Sequence, residues 1–332
     1  MIRTEEIKNC IVCGKEGKVL YEKLKDNLFG VSGEFGFRKC NECDIIWQSP
    51  RPVKEDIHLC YKNYFTHSIQ FPPQKERVRR FSKIRDILRN AMLSEIWGYK
   101  QFDVNKWWAS ILARFFYLIP PLRERARFKM GDFFLPFIGK GRLLEIGCGN
   151  GGYLSFMKKL GWNVKGIEMD KEAVKIAREH YGIDVIEGDA ETFDFGKNSF
   201  DAIVMFHVIE HLYNPLKMIK KCYEALSEGG IIFITTPNTS SFGHRIFKGN
   251  WRGLDPPRHI FIFSRHSLQI LFERAGFKIS KIYTRPLYFM FEKSLKEKDI
   301  KKAKLFFDIE KIFKLFNSDL GEETILIGRK YG

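Results

Sequence analysis

The stretch Arg142-Leu-Leu-Glu-Ile-Gly-Cys-Gly-Asn-Gly-Gly152 joins an apolar run to a cluster of glycines. The run from Arg142 to Ile146 is typical of a buried strand, and a helical stretch, Tyr153–Leu160, follows the glycines. Glycine is needed where a backbone turns sharply and must approach a ligand closely. The stretch therefore predicts a strand–turn–helix unit that binds a nucleotide-like ligand, although a plain tight turn would also explain the glycines.

Short apolar runs alternate with helical stretches through residues 139–332, which form the main predicted domain. This order is typical of a parallel sheet with helices on both faces, so the predicted fold class is α/β. The predicted strands are Arg142–Ile146, Asn163–Glu168, Asp184–Glu187, Phe200–Met205, Gly230–Thr235, Lys278–Tyr283 and Glu323–Gly328.

Acidic side chains follow the predicted strands at positions that suit a nucleoside. Glu168 ends the second strand, where a carboxylate can accept hydrogen bonds from both ribose hydroxyls. Asp189 follows the third strand and is placed to meet an adenine amino group. The fourth strand leads into Phe206-His-Val-Ile-Glu-His211. Each of these segments alone could be part of the hydrophobic core or a tight turn. Their order and spacing together favour a nucleoside-binding site.

Residues 141–285 resemble the class I S-adenosylmethionine (SAM) dependent methyltransferases. The resemblance is greatest to a branch that carries His-x-x-Glu-His-x-x-x-Pro after the fourth strand, here His207–Pro215, and a later segment such as Trp251–His259. That branch is frequent in sugar and polysaccharide biosynthesis and is distantly similar to quinone O-methyltransferases. The resemblance implies a Rossmann-like, seven-stranded, mostly parallel sheet whose last strand, Glu323–Gly328, is antiparallel.

The same resemblance implies SAM as the cofactor, with the glycine loop at its methionine part and Glu168 at its ribose. Met169, Asp189 and Ala190 would line the adenine, and Phe206 would line the methyl-donor end. A nicotinamide enzyme is the competing class, but Gly-x-Gly-x-Gly departs from its Gly-x-Gly-x-x-Gly spacing. The implied cofactor-binding residues are Glu145, Gly147, Cys148, Gly149, Gly151, Tyr153, Glu168, Met169, Asp189, Ala190, Phe206 and His207.

Three histidines and one glutamate are the candidate catalytic residues. Methyl transfer from a sulfonium needs alignment, and it needs a base when the nucleophile is a hydroxyl. We assign His207 to the substrate side, His211 to the candidate base, and Glu210 and His259 to the same group. A structural role for His211 is the alternative. His207–His211 also matches a metalloprotease motif, which we disfavour because it follows a buried strand in a methyltransferase order.

The segment Asp255-Pro-Pro-Arg258 is interpreted as a substrate loop. Arg252, Arg258 and His259 would offer cationic contacts to a phosphate or carboxylate. A rigid proline turn at the surface is the alternative.

Two cysteine pairs mark residues 1–60 as a small zinc-ribbon-like module. Cys10-x-x-Cys13 and Cys40-x-x-Cys43 supply four thiolates, a set suited to a closed, structural Zn²⁺ site. We therefore predict Zn²⁺ as a structural metal without a part in catalysis. Cys60 lies outside this set and is predicted to be a buried apolar residue.

Residues 61–138 are basic and aromatic, with helical periodicity in Val78–Leu93 and Trp107–Ile119. They are interpreted as a lid or linker, or as a patch that lies on a membrane surface. Ordinary packing against the main domain is the alternative.

The net charge of +16 favours an anionic partner, although a solvated lysine-rich surface is an equal alternative. No apolar run is long enough to span a bilayer, and Met1–Glu6 is unlike a signal peptide. The predicted location is the cytoplasm, or the inner face of the membrane.

The first hypothesis is methylation of a hydroxyl or carbon of a small anionic acceptor, such as a nucleotide- or lipid-linked sugar. An RNA methyltransferase and a non-catalytic SAM-binding protein are the alternatives.

Overall fold

The computed structural model describes residues 2–61, 83–102, 104–119, 135–295 and 299–331. The strands are β1 (Thr4–Glu5), β2 (Lys18–Leu24), β3 (Phe35–Lys39), β4 (Ile46–Gln48), β5 (Arg51–Pro52), β6 (Arg142–Ile146), β7 (Asn163–Glu168), β8 (Asp184–Glu187), β9 (Phe200–Phe206), β10 (Leu226–Pro237), β11 (Phe261–Ile262), β12 (Lys278–Arg285) and β13 (Glu323–Arg329). The α-helices are α1 (Lys83–Trp97), α2 (Trp107–Leu118), α3 (Gly152–Lys159), α4 (Lys171–Tyr181), α5 (Pro215–Ala225), α6 (Phe242–Phe247), α7 (Arg265–Arg274), α8 (Tyr288–Ser294) and α9 (Ile300–Phe316), and the 3₁₀ helices include Lys54–Tyr61 and Ile209–His211.

The larger sheet of the described residues has seven strands in the order β12-β13-β10-β9-β6-β7-β8. The strands β6 to β10 pair in parallel, whereas β13 runs antiparallel to both β10 and β12. The predicted α/β fold, with a mostly parallel seven-stranded sheet and an antiparallel last strand, is therefore confirmed. The order of strands reverses between β6 and β9, which puts the ends of both strands beside the same crevice.

The core lies on both faces of this sheet because successive side chains of a strand point to opposite faces. Leu144 of β6 belongs to the cluster that packs under α5 and α7. Its neighbour Leu143 belongs to the cluster under α3 and α4. A strand covered on both sides needs apolar residues at nearly every position, which explains the unbroken run in this segment.

Local signals fix the ends of the helices that follow the parallel strands. Asp170 precedes α4 and accepts hydrogen bonds from the backbone N–H groups of Glu172 and Ala173. Asn214 precedes α5 and accepts one from Lys217. Ser264 precedes α7 and forms a capping box with Ser267. The caps of α4 and α5 follow the ends of β7 and β9, beside which the candidate site lies.

The N-terminal segment forms a second sheet in the order β11-β4-β3-β2. Its edge strand, β11, belongs to the main domain, and Phe261 pairs with Trp47 of β4. The side chain of Trp47 is buried in the same apolar cluster as Leu144. The sheet thus crosses the boundary at residue 60 that the sequence suggests, while the domain limits themselves stay predictions.

The helices predicted over Val78–Leu93 and Trp107–Ile119 correspond to α1 and α2, although residues 78–82 lie outside the described part of the chain. The helices α8 and α9 connect β12 to β13 and carry several exposed apolar side chains on α9. None of the described helices has the length and apolar character that a membrane span requires.

Candidate active site

The glycine loop after β6 adopts a backbone that other residues would strain. Gly147 has φ of 69°, and a Cβ there would lie 2.6 Å from Cγ2 of Val208. Gly151 has φ of 78°, and a Cβ there would lie 2.9 Å from Cβ of Ala177. Both positions combine a left-handed backbone with a close neighbour, so glycine is required on both counts. The loop thereby packs tightly between α4 and the segment after β9.

Glu168 joins the end of β7 to this loop. Its Oε2 accepts a hydrogen bond from the backbone N–H of Gly149 at 2.8 Å. Its Oε1 accepts from the N–H groups of Met169 and Asp170, at 2.8 and 3.0 Å. The structure thus brings the predicted ribose-binding carboxylate onto the predicted glycine loop.

Two other predicted loop residues, Glu145 and Cys148, are buried. Burial raises the pKa of Glu145 well above its usual range, and the charge of Glu168 adds to the effect. Burial thus favours the protonated form of this carboxyl, which can donate a hydrogen bond as well as accept one.

The predicted adenine residues Met169, Asp189 and Ala190 lie beyond the ends of β7 and β8. The side chain of Met169 is exposed, and Ala190 is partly buried. Asp189 pairs with Lys54 of the N-terminal segment, with 3.0 Å between Oδ2 and Nζ. Local sequence patterns gave no signal for this contact, because Lys54 lies in another part of the fold.

Aromatic rings meet beside the end of β9. The rings of Tyr153 and Phe206 contact edge to face with their centroids 4.8 Å apart. Phe206 makes a similar contact with Phe233 of β10 at 5.8 Å. The structure therefore brings together two of the predicted cofactor-binding residues, Tyr153 and Phe206, and Phe233 was missed.

His207 lies between two buried carboxylates. Its Nδ1 is 3.2 Å from Oε1 of Glu210, and its Nε2 is 2.7 Å from Oε1 of Glu323. Burial alone would lower the pKa of His207, but the hydrogen bonds and charges of the two carboxylates outweigh it and raise the pKa to about 10. His207 is thus an imidazolium near neutral pH and has no lone pair to accept a proton.

His211 and His259 lie side by side, with ring centroids 4.8 Å apart. Nδ1 of His211 is 3.0 Å from the carbonyl oxygen of Arg258 and 2.9 Å from the hydroxyl of Tyr61. Nδ1 of His259 is 2.7 Å from the carbonyl oxygen of Gly253. Burial lowers the pKa of His259 to about 4, and His211 adds to the effect. The structure brings these two predicted residues together with Glu210.

The predicted cationic contacts of Arg258 and His259 are wrong. The guanidinium of Arg258 is fully buried, and both Asp26 and Asp255 bind it, at 2.7 and 2.6 Å. Arg252 also pairs with Asp255, at 2.9 Å. His259 is neutral because of its lowered pKa. The Asp255–Arg258 segment therefore forms a buried ion network that ties Asp26 of the N-terminal segment to the main domain.

The four cysteines of the two predicted pairs meet at one point. The sulfur atoms of Cys10, Cys13, Cys40 and Cys43 lie within 4.8 Å of one another. In a tetrahedral site with Zn–S bonds of about 2.3 Å, neighbouring sulfurs are about 3.8 Å apart. Backbone N–H groups also point at two of these sulfurs, Val12 N–H at Cys10 and Cys43 N–H at Cys40. The donor set fits a closed structural zinc site. Cys60 lies outside the cluster and is buried, as predicted.

A family model described as a methyltransferase domain matches residues 107–282, which is more than half of the chain. The chain belongs to this methyltransferase family. The prediction of a SAM-dependent methyltransferase is confirmed at the level of the family. The match begins at α2 and includes the glycine loop, Glu168, Asp189 and the three histidines.

Two curated relatives show what this methyltransferase domain is similar to. It is 33% identical over 112 residues to a mitochondrial ubiquinone biosynthesis O-methyltransferase of Rattus norvegicus, covering 31% of this chain and 32% of that protein. It is 30% identical over 138 residues to a probable S-adenosylmethionine-dependent methyltransferase of Mycolicibacterium smegmatis, covering 41% of this chain and 52% of that protein. The chain spans about half or less of the length of these relatives.

Among solved structures, a SAM-dependent methyltransferase from Archaeoglobus fulgidus is similar with a TM-score of 0.45 and 20% identity. The likeness covers 68% of this chain and all of that chain.

Proposed function

We propose that the protein transfers the methyl group of SAM to a hydroxyl oxygen or a carbon of a small anionic acceptor, such as a nucleotide- or lipid-linked sugar. The observation that carries this proposal is the meeting of His211, Glu210 and His259 beside the end of β9. A nucleophile that must lose a proton needs an acceptor for it at this place. The relatives named as O-methyltransferases support oxygen as the methylated atom.

Binding of the donor would use the backbone of the glycine loop and the carboxylate of Glu168. Each carboxylate oxygen has two lone pairs, and the structure occupies only part of this capacity with backbone N–H groups. The free capacity suits the two ribose hydroxyls. The adenine would lie between Met169 and Asp189, and the rings of Tyr153 and Phe206 would flank the methyl-donor end.

In the simplest form of the reaction, His211 accepts the proton of the acceptor. In the tautomer in which Nδ1 of His211 donates to the carbonyl of Arg258, Nε2 has the lone pair that takes the proton. The acceptor oxygen then bonds to the methyl carbon while the carbon–sulfur bond breaks. The sulfonium becomes a thioether, and the proton stays on His211. His207 is already protonated, so it is the poorer candidate.

We also propose that the cysteine cluster binds one structural Zn²⁺. The support is the common meeting point of the four sulfurs and the N–H groups that point at two of them. Cys10, Cys40 and Cys43 are buried in the same cluster as Trp47 and the core of the main sheet. The metal would therefore stabilise the contact between the N-terminal segment and the methyltransferase core.

Peripheral contact with a membrane surface is proposed for a lipid-linked acceptor. The helix α9 carries lysines together with exposed apolar side chains, and Leu315 and Phe316 are more than four-fifths exposed. The helix α2 exposes Trp107 and Leu118 in the same way. A basic apolar helix of this kind suits an anionic bilayer surface. Cosedimentation with vesicles that contain phosphatidylglycerol, compared with purely zwitterionic vesicles, tests this contact.

The central test is calorimetry of the purified chain with SAM and S-adenosylhomocysteine. We expect binding by the wild type and a loss of about tenfold to hundredfold in affinity on Glu168→Ala, since each hydrogen bond to a charged group contributes ~1.5–3 kcal/mol. Glu179→Ala is the matched control, because Glu179 is exposed on α4. If the wild type does not bind SAM, or if both variants bind equally, the proposal fails.

The acceptor is then sought with labelled SAM and pools of nucleotide-linked and lipid-linked sugars. A parallel gel-shift series with total RNA across salt concentrations tests the RNA alternative. Tight and steeply salt-dependent RNA binding would overturn the small-acceptor assignment.

A further inference from the structure

Three side chains with metal-binding chemistry meet outside the cysteine cluster. Glu210, His211 and His259 each place one potential ligand atom within 4.8 Å of the others. Glu210 and His211 belong to the 3₁₀ helix after β9, and His259 precedes β11. The backbone N–H of Ile260 donates to the carbonyl of Glu210 at 2.8 Å, so the two segments are fixed against each other.

Both imidazoles are oriented in the way that metal-binding histidines are. The carbonyl oxygen of Gly253 can only accept, so Nδ1 of His259 carries a hydrogen. Nδ1 of His211 faces both the carbonyl oxygen of Arg258 and the hydroxyl of Tyr61, and it carries a hydrogen in the tautomer that donates to the carbonyl. In a neutral ring the lone pair is then on Nε2. No hydrogen bond to Nε2 of either ring is made within the described residues. Metal-binding histidines almost always donate their other N–H to a carbonyl or carboxylate, which fixes the ring.

Hydrogen bonds also fix the orientation of the Glu210 carboxylate. It is fully buried, its Oε2 accepts from the hydroxyl of Thr236 at 3.0 Å, and its Oε1 faces Nδ1 of His207 at 3.2 Å. Carboxylates that ligate metals are themselves hydrogen-bonded in this way. Each oxygen keeps lone-pair capacity for a further bond.

Charged and titratable side chains surround the three proposed ligands. His207 lies between Glu210 and Glu323, and Glu323 also pairs with Arg285. Asp255 lies 3.8 Å from Nε2 of His259, measured at Oδ2, and is itself paired with arginines. A divalent ion would add positive charge among these side chains, and that charge suits an anionic acceptor.

We propose that Nε2 of His211, Nε2 of His259 and the carboxylate of Glu210 bind one divalent transition-metal cation. Two imidazoles and one carboxylate suit Zn²⁺, Mn²⁺, Fe²⁺, Co²⁺ or Ni²⁺. Three protein ligands leave further coordination positions for water or for an acceptor oxygen. The site is distinct from the cysteine cluster, whose thiolate donors form a separate group.

The catalytic part of this inference rests on the proposed function. There the cation takes the place of His211 as the group that prepares the nucleophile. It lowers the pKa of a bound hydroxyl, whose proton is released to solvent. The resulting oxyanion bonds to the methyl carbon, the carbon–sulfur bond breaks, and the sulfonium becomes a thioether. The charges and atoms balance without a further reactant.

The test is a Co²⁺ titration of the metal-free chain of 332 residues, followed by visible absorption. Co²⁺ at the cysteine cluster gives an intense thiolate charge-transfer band, whereas Co²⁺ on nitrogen and oxygen gives only weaker ligand-field bands. We expect both signals in the wild type. We expect His211→Ala and His259→Ala to keep the thiolate band. Each should lower the affinity of the second site for Co²⁺ by at least about tenfold, because even the loss of a residue that only hydrogen-bonds to a metal ligand has an effect of this size.

His266→Ala is the matched control, because His266 is exposed on α7. A shift in thermal midpoint on adding Mn²⁺, which binds oxygen and nitrogen in preference to thiolate, gives a second measurement in the wild type if a variant folds poorly. A wild type with thiolate-bound Co²⁺ alone and no Mn²⁺ effect overturns the proposal, as do histidine variants that titrate like the control. SAM calorimetry on the same samples shows separately whether the donor site works.

Discussion

Nζ of Lys54 lies 3.0 Å from Oδ2 of Asp189, so the N-terminal segment contacts the rim of the proposed adenine site directly. Lys54 also pairs with Glu191 at 3.0 Å. The pair spans two parts of the fold that the sequence presents as separate modules. It suggests that the N-terminal segment helps to define the cofactor site as well as the stability of the chain.

Replacing Lys54 with methionine tests this contact. Lys54 is partly exposed, and ion pairs of this kind contribute below about 1 kcal/mol, so we expect less than an approximately fivefold change in the dissociation constant of SAM. Asp189→Ala should weaken binding more, because it removes the proposed adenine acceptor. Calorimetry measures both, with Lys175→Met as the control on α4. Unchanged binding in Asp189→Ala would place the adenine elsewhere.

Removal of metal from the cysteine cluster should destabilise the whole chain. The cluster shares its apolar surroundings with the main sheet, and a structural zinc supplies folding free energy. We expect a strong chelator to lower the thermal midpoint by more than about 5 °C, and zinc to restore it. The Cys13→Ala variant should start from the lower value and should not respond further. A wild type whose midpoint ignores both chelator and zinc would contradict the structural role.

The buried network around Arg258 should be costly to break. The guanidinium bridges Asp26 of the N-terminal segment and Asp255 of the main domain, and all three side chains are almost fully buried. Asp26→Asn leaves a buried cation with one carboxylate fewer, so we expect a loss of about 3 kcal/mol in the free energy of unfolding. Asp56→Asn removes a carboxylate from the exposed pair with Arg3 and should have much less effect. Denaturant titrations measure both, and equal losses would contradict the argument.

The stability of the chain should fall as pH rises because of Glu310. Burial raises the pKa of this carboxyl from 4.5 to about 9, and the charge of Glu322 contributes. Between these two pKa values the folded chain keeps the proton that the unfolded chain releases. The free energy of unfolding therefore falls as pH rises, by at most ~1.4 kcal/mol per pH unit. Glu310→Gln should remove this dependence and stabilise the protein at pH 8 relative to the wild type, with little difference at pH 4.

The control for this pH series is Asp308→Asn, because Asp308 is exposed on the same helix. Urea titrations at several pH values give the free energy of unfolding of all three proteins. Parallel curves for the wild type and Glu310→Gln would show that Glu310 ionises freely in the folded state.

The local part of the candidate site could be predicted from sequence. Gly147 and Gly151 are needed by backbone geometry, and Glu168 stands at a strand end, so neighbouring residues carry the signal for all three. The same reasoning located the strands, because a sheet covered on both faces demands apolar runs. The signals for these features lie in short stretches of sequence, although the side chains that crowd Gly147 and Gly151, Val208 and Ala177, come from later segments.

The state of the histidines could not be predicted, because it depends on residues distant in sequence. Glu210 and Glu323 together raise the pKa of His207, and Glu323 comes from the last strand of the chain. Arg258 has the pattern of a substrate-binding arginine, but Asp26 from the N-terminal segment neutralises it. Periodicity and spacing do not report which distant carboxylates will meet a given cation.

The pairing of β4 with β11 has a consequence for synthesis of the protein on the ribosome. The edge partner of the N-terminal sheet emerges roughly 200 residues after β4, which at 5–20 residues per second is a delay of about 10–40 s. During that interval the edge of β4, with its apolar side chains, waits without its native neighbour. Because β4 is made early and its partner β11 late, the edge of β4 can meet chaperones until most of the polypeptide has been made. During the same time it can also meet β4 segments of other nascent chains.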